Sequence, residues 1–190
     1  MLYFLLSLVG CLGNEKPTPE YSDDMVVMGT NLGEVEFQLY PEDSPITVEN
    51  FLNYVDAGFY DGSDGSGATT FHRVVVDFVV QAGGWTADGI EKNTGDPIVN
   101  EALDSGLSNT RGMIAMARTS EPDSATSQFY INLVDNSSLD ASAESAGYAV
   151  FGIVVGGMDV VDLIGGAAVD VSDSPQEAVV IESMSRKVVE

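Results

Sequence analysis

Alternation of polar and apolar residues is strictest over Glu34-Val35-Glu36-Phe37-Gln38-Leu39. A period of two predicts a strand with one buried face. Met25-Val26-Val27-Met28 reads as its partner, with Asn31-Leu32-Gly33 as the hairpin turn between them. The period then changes. Val48, Phe51, Leu52 and Val55 fall at i, i+3, i+4 and i+7, which predicts an amphipathic helix ending near Gly58. Ser44 and Pro45 supply its N-cap and a proline at the first helical position. Asp61 to Gly67 is polar and too rich in glycine for a regular element. Phe71 to Gln81 is strand material interrupted at Asp77 and closed by Gly83-Gly84. Met113 to Met116, Phe129 to Val134 and Tyr148 to Val155 are further short apolar runs. Met158 to Ile164 has helical spacing, with Gly165-Gly166 as its stop. Ala178 to Ile181 and Lys187 to Val189 give closing strand material. Many short strands and two helices, without alternating βα units, predict a mainly β fold: a closed antiparallel barrel capped by helices.

The N-terminal end has a different character. Residues 1–11 are apolar and uncharged, and too short for a bilayer-spanning helix of about 20 residues. They match the apolar region of a secretory signal. Leu8-Val9-Gly10-Cys11 resembles the lipobox of bacterial lipoproteins, whose cysteine is lipidated and becomes the new N-terminus. That resemblance implies export and a lipid anchor at Cys11 on the periplasmic face of a bacterial membrane, with a soluble periplasmic protein as the alternative. Residues 12–24, with Gly13, Pro17, Pro19 and several acids, have linker composition. One folded domain is expected over residues 25–190.

Composition narrows the chemistry. The chain carries 30 acidic against 7 basic residues, a formal net charge of -23. Such a surface repels phosphate backbones, so nucleic acid is not expected as a partner. A single cysteine forbids an intramolecular disulfide, and a single histidine with no His/Cys cluster argues against a zinc site. No Walker-A loop and no G-x-S-x-G occurs, so phosphate cradling and nucleophile-elbow hydrolysis lack their parts. No cofactor or metal is expected.

Thr70-Phe71-His72-Arg73-Val74, followed by Phe78-Val79-Val80-Gln81-Ala82-Gly83-Gly84, resembles the signature of the cyclophilin family. Asn109 to Arg118, Ser124 to Asn132 and Tyr148 to Gly152 resemble its later blocks, in the same order. The resemblance covers roughly residues 26–190, and the Ala117-Arg118-Thr119 run with Tyr148 is most like the bacterial periplasmic branch. It implies an eight-stranded barrel with two helices, acting as a monomeric peptidyl-prolyl cis/trans isomerase on proline-containing clients.

The chemistry of that activity makes a specific demand. Rotating an X-Pro amide breaks its conjugation, against a barrier of about 18–20 kcal/mol. A fixed cation or donor that pairs with the prolyl nitrogen as its lone pair re-localises acts more strongly in the twisted state than in the planar one. By resemblance Arg73 is that catalytic group, joined by Phe78 and by Gln81, which hydrogen-bonds the substrate backbone. Phe78, Val79, Tyr130 and Leu139 resemble the apolar slot for the proline ring. Ala117, Arg118 and Thr119 resemble the edge segment that pairs with the peptide, and Tyr148 replaces the histidine of eukaryotic members. Arg73, Arg111 and Arg118 all fall in these blocks, making the cleft the expected positive spot of an acidic surface. Alternation along a strand would point His72 to the face opposite Arg73. A binding module of the same fold with negligible turnover, a chaperone or scaffold at the membrane, is the competing role; retention of Arg73, Gln81 and the aromatic slot favours the enzyme.

The pattern departs from the family in places. Val76-Asp77 stands where Pro-Gly is usual, leaving the placement of Phe78 open. Ser138 replaces the tryptophan of cyclosporin-sensitive members, implying weak cyclosporin binding. Ser63 to Ala68 is an insertion, expected to be a floppy surface loop; it lacks the spacing of an EF-hand calcium site.

Overall fold

The structure is a computed structural model that describes residues 21–188. The signal and lipobox segment with Cys11, the first part of the linker, and residues 189–190 lie outside the described residues. In chain order the elements are β1 (Tyr21–Thr30), β2 (Gly33–Leu39), α1 (Pro45–Asp56), β3 (Thr69–Val75), β4 (Val79–Thr86), α2 (Ala102–Ser105), β5 (Met113–Met116), β6 (Phe129–Asn132), a 3-10 turn (Ser137–Leu139), β7 (Val150–Gly156), α3 (Met158–Gly165) and β8 (Ile181–Val188). The strands form one eight-stranded sheet in the order β3-β4-β6-β5-β7-β2-β1-β8, with every neighbouring pair antiparallel. The sheet's two edges meet where β3 touches the residues leading into β8, through a bridge from Thr70 to Val180 and a Phe71 N–H to Val179 carbonyl bond of 2.9 Å. The expected closed barrel is therefore a curled half-barrel: its edges touch at one bridge and form no closing ladder.

Strand alternation sorts side chains into two apolar clusters. Val26, Met28, Val35, Phe37 and Leu39 from the hairpin enter the main core, together with Val80, Ala82, Ile114, Met116, Phe129, Ile131 and Phe151. Phe51 from α1 meets the rings of Tyr60, Phe129 and Phe151 at 5.5, 5.5 and 5.0 Å between centroids. Val161 and Ile164 of α3 are fully buried against the same core. The alternate residues of the central strands point the other way, and there the second apolar cluster lies.

Four local features differ from the sequence reading. β1 begins at Tyr21 rather than Met25, because Tyr21 pairs with Val188 ahead of the regular register. β8 is one strand through Glu182 to Arg186, which lacks an apolar period because only Ile181 and Met184 are buried. Ser44 precedes α1, but its hydroxyl donates to the Val150 carbonyl at 2.7 Å and makes no cap bond. The helix is capped instead by Glu101, whose carboxylate accepts from the Ile46 N–H at 3.1 Å, the Thr47 N–H at 2.8 Å and the Thr47 hydroxyl at 2.7 Å. The 63–68 insertion is not loose. Lys92 reaches beneath it, donating to the Phe59 and Gly67 carbonyls, pairing with Asp64 at 3.1 Å and lying over the Phe59 ring.

Candidate active site

β4 and β6 decide the geometry. Val80 and Ala82 face the main core, so Val79 and Gln81 must face outward; Phe129 and Ile131 likewise leave Tyr130 and Asn132 outward. The pairing then aligns one row across the sheet: Arg73 opposite Gln81, Gln81 opposite Tyr130, Tyr130 opposite Ala115, and Ala115 opposite Val150. At about 4.8 Å between neighbouring strands, Arg73 and Ala115 stand roughly 14 Å apart.

Val79, Ala115, Tyr130 and Val150 form a second, separate apolar cluster, with Phe78, Leu107, Met113, Ala117, Leu139 and Tyr148 packed on it and only partly buried. Four predicted slot residues, Phe78, Val79, Tyr130 and Leu139, thus come together with Ala117 and Tyr148 in one apolar cluster at the surface. Asp77 adopts φ 56° and closes the turn into β4, with the Phe78 N–H on the Val75 carbonyl at 3.1 Å. Aspartate tolerates this left-handed conformation better than most side chains. The turn usually made by Pro-Gly is therefore still made, and Phe78 is seated. Its carbonyl accepts from the Leu133 N–H and the Asn136 amide at 2.9 and 3.0 Å.

A polar network lies behind the slot. The Tyr130 hydroxyl donates to Asn109 Oδ1 at 2.7 Å. Asn109 is held by Asp140 through its own N–H at 2.7 Å and its amide at 3.0 Å. Burial first, then Tyr148 and Asp140, push the Tyr130 hydroxyl far above its ordinary pKa, so it stays a neutral donor. Burial works to raise the Asp140 carboxyl, but hydrogen bonds from Ser108 and Asn109 outweigh it and hold the group below the usual range.

Among the described residues Arg73 makes one hydrogen bond, Nη1 to Gln81 Oε1 at 3.4 Å. The Gln81 amide nitrogen donates to Gln128 Oε1 at 2.9 Å, which orients its oxygen toward the guanidinium. At the other end Arg118 lies over the Tyr148 ring, 4.4 Å from its centroid, and donates Nε to the Gly147 carbonyl at 2.9 Å. Thr119 is exposed at the edge, its N–H and hydroxyl both on Ser124 Oγ at 3.0 and 2.8 Å. Arg111, expected in the cleft, is elsewhere: its Nη2 donates to both carboxylate oxygens of Asp162 of α3, at 2.9 and 2.8 Å.

His72 departs from simple alternation. Phe71 pairs with Ala82 and Arg73 with Gln81, so two steps on β3 match one on β4 and His72 is the extra residue of a bulge. The bulge turns His72 to the same side as Arg73 instead of the opposite one. Its Nδ1 is buried and finds no hydrogen-bond partner among the described residues. Burial and then the Arg73 charge lower its pKa, partly offset by the Thr70 backbone and the Gln128 side chain, so the ring is held neutral.

Asn109 and Gln128 were not among the predicted site residues, although both lie inside the family-like blocks. Gln128 precedes Tyr130 by two, and that spacing puts it on the outward face. Asn109 has no such local signal, because its side-chain partners, Tyr130, Asn132 and Asp140, lie far along the chain.

The sequence matches the model of the cyclophilin type peptidyl-prolyl cis-trans isomerase/CLD family over residues 25–186. The chain belongs to the cyclophilin family. It is 54% identical over 143 residues to a peptidyl-prolyl cis-trans isomerase of Acinetobacter baylyi, covering 75% of this chain and 72% of that one. With peptidyl-prolyl cis-trans isomerase B of Escherichia coli it shares 48% identity over 168 residues, 85% of this chain and 98% of the relative. A Cryptosporidium parvum cyclophilin crystal structure superposes with a TM-score of 0.70 at 22% identity, covering 88% of this chain and 99% of that chain. The cyclophilin is accordingly a peptidyl-prolyl cis-trans isomerase, with the fold expected of one. Among the described residues no cluster of metal-ligating side chains occurs, and no helix is long and apolar enough to cross a membrane.

Proposed function

We propose that this cyclophilin rotates X-Pro bonds of exported polypeptides, without covalent chemistry, by seating the proline ring in the Tyr130 slot and pairing Arg73 with the prolyl nitrogen. The observation that carries the reading is the state of Arg73. It stands in one row with Gln81 and Tyr130, and no carboxylate lies within ion-pair distance of it among the described residues. A paired guanidinium would be occupied in the ground state; an unpaired one is available to the nitrogen lone pair as it forms. Gln81, oriented by Gln128, supplies an amide for the substrate backbone, and Phe78, Val79 and Leu139 confine the ring. Ala117 to Thr119 and Tyr148 line the path of the flanking peptide. A related Cryptosporidium parvum cyclophilin has been crystallised in the presence of the dipeptide Ala-Pro, which is the minimal form of such a client.

Uncatalysed rotation takes tens to hundreds of seconds. About a thousand turnovers per second would need roughly 10⁵-fold acceleration, or about 7 kcal/mol. A hydrogen bond from a charged donor contributes about 1.5–3 kcal/mol, a substantial share but not all of this. Arg73→Ala is therefore expected to lower kcat/KM at least about 100-fold, roughly 2.7 kcal/mol, in a protease-coupled assay on an X-Pro peptide. Equal rates for the variant and the parent would remove Arg73 from this role.

The lipobox resemblance supports a further element of the proposal, a lipid anchor on Cys11 at the periplasmic face of a bacterial membrane. Mass spectrometry of the protein from membranes should find a lipidated N-terminal Cys11. An unmodified chain beginning at Met1 would exclude the anchor.

A further inference from the structure

The described part of the chain contains six basic side chains: Arg73, Lys92, Arg111, Arg118, Arg186 and Lys187. Four of them have carboxylate partners, Lys92 on Asp64, Arg111 on Asp162, Arg186 on Asp56 and Lys187 on Glu36. On a chain with 30 acidic residues that outcome is unremarkable. Arg73 and Arg118 are the exceptions, and both border the proline slot. Arg73 is accounted for by the proposed chemistry. Arg118 is not.

Arg118 is also fixed in place. Its Nε donates to the Gly147 carbonyl at 2.9 Å, its Nη1 to the Thr119 carbonyl at 2.9 Å, and its guanidinium carbon sits 4.4 Å from the centroid of the Tyr148 ring. Tyr148 in turn meets Tyr130 edge-on, 5.9 Å between centroids, so the guanidinium is tied to the wall of the slot. Of five N–H donors, two are engaged by backbone carbonyls; the others, one on Nη1 and two on Nη2, have no partner among the described residues. Those remaining donors are on the terminal edge of the fork, the geometry that takes a carboxylate through two parallel bonds. The nearest acids in sequence do not take it: Asp123 accepts from the Asn100 N–H at 2.9 Å, and Glu121 forms no ion pair.

We infer that Arg118 is a specificity determinant that selects client segments carrying an aspartate or glutamate within two residues of the proline. This rests on the reading of the Tyr130 slot as the proline site. Because the side chain is already held by three contacts, little further ordering is needed when a carboxylate arrives. The net charge of -23 works the other way, repelling acidic peptides at a distance. At 0.15 M salt that field fades over about 8 Å, whereas a direct ion pair at a partly buried rim is screened much less. The contact therefore decides between peptides that have already reached the slot.

The test uses the full chain at 0.15 M salt and a set of otherwise neutral X-Pro peptides. Glutamate or glutamine is placed in turn at each of the two positions before and after the X-Pro pair's proline, and kcat/KM is read as the Glu/Gln ratio. A ratio of about three to ten is expected at one position at least, falling to about one in Arg118→Gln and intermediate in Arg118→Lys, which keeps the charge but not the fork. Reading a ratio separates this inference from general damage to the slot, which lowers both peptides together. A parent ratio of one or less at every position, or a raised ratio that Arg118→Gln leaves unchanged, would overturn it. Loss of turnover on all peptides in Tyr130→Ala with the parent ratio absent would sink only the selectivity; undiminished turnover in Tyr130→Ala would sink the slot reading, and the inference with it.

Discussion

The cap of α1 is supplied across 54 residues of sequence, from Glu101 to Thr47, and its removal has a calculable cost. Glu101→Ala deletes three hydrogen bonds to a carboxylate that is only 6% exposed. Bonds to a charged acceptor contribute about 1.5–3 kcal/mol each, and a buried donor left without a partner costs about 1–3 kcal/mol. The Thr47 N–H and hydroxyl are both buried, so water cannot replace the acceptor, whereas Ile46 is exposed enough for its N–H to be rehydrated. Relief of the buried charge offsets part of the loss. The net expectation is about 3 kcal/mol, which for a domain of this size lowers Tm by about 6–12 °C. Glu101→Gln, which keeps one carbonyl oxygen, should lose about half as much. Urea and thermal unfolding of both variants beside Ser44→Ala give the measurement. Because the Ser44 hydroxyl bonds β7 and not the helix N-terminus, Ser44→Ala should cost about 1 kcal/mol and less than Glu101→Ala. A Glu101→Ala variant within about 0.5 kcal/mol of the parent, or less affected than Ser44→Ala, would refute the assignment of the cap.

Lys92→Met should cost about 2–4 kcal/mol, because it strands the Phe59 and Gly67 carbonyls and unpairs Asp64; hydrogen exchange at residues 61–67 should accelerate well beyond that of the core strands. Acid should weaken the scaffold through Asp140. Its folded pKa lies below the unfolded value of 3.8, so its contribution is complete above that value and disappears as pH falls through the lower, folded one. The stability difference between the parent and Asp140→Asn, a comparison that cancels the overall acidic charge, should accordingly shrink from pH 7 to pH 3. His72 has the same sign in another window: its folded pKa is below 6.5, so the neutral ring favours the fold above that pH and loses this advantage as pH drops beneath it. His72→Gln should flatten the slope of stability against pH just below 6.5.

The parts of this molecule that were legible in the sequence are those set by neighbours along the chain. The β1–β2 hairpin, the apolar face of α1 and the short strands all follow from a local period. The slot follows from it too: once Val80, Ala82, Phe129 and Ile131 are assigned to the core, Val79, Gln81 and Tyr130 have only the other face available. Family-like blocks then say which of these outward residues belong together. What escaped notice depends on partners distant in sequence. Glu101 has no local reason to cap α1, Lys92 none to hold the 63–68 insertion, and Asn109 none to receive the Tyr130 hydroxyl. Each is placed by the curled sheet, which brings segments together that no period relates.

The bulge at His72 shows how much can turn on such a nonlocal feature. Its existence is a property of the β3–β4 pair, since either strand alone reads as ordinary. Had Phe71 remained opposite Ala82 with no extra residue, His72 would stand opposite Gln81 in the outward row, and Arg73 would point inward against the neighbours of Val80. An arginine there would be a buried charge without a partner, and the slot would have a weakly basic ring in place of a permanent cation. The bulge moves the pairing by one residue, brings the guanidinium out to the row that leads to Tyr130, and leaves the imidazole beside it. The ring is then partly buried next to a positive charge, which is the physical reason it is held neutral. A neutral neighbour leaves Arg73 as the only charge on that stretch of β3. The same register shift that turns the cation outward thus also keeps a second cation from forming next to it.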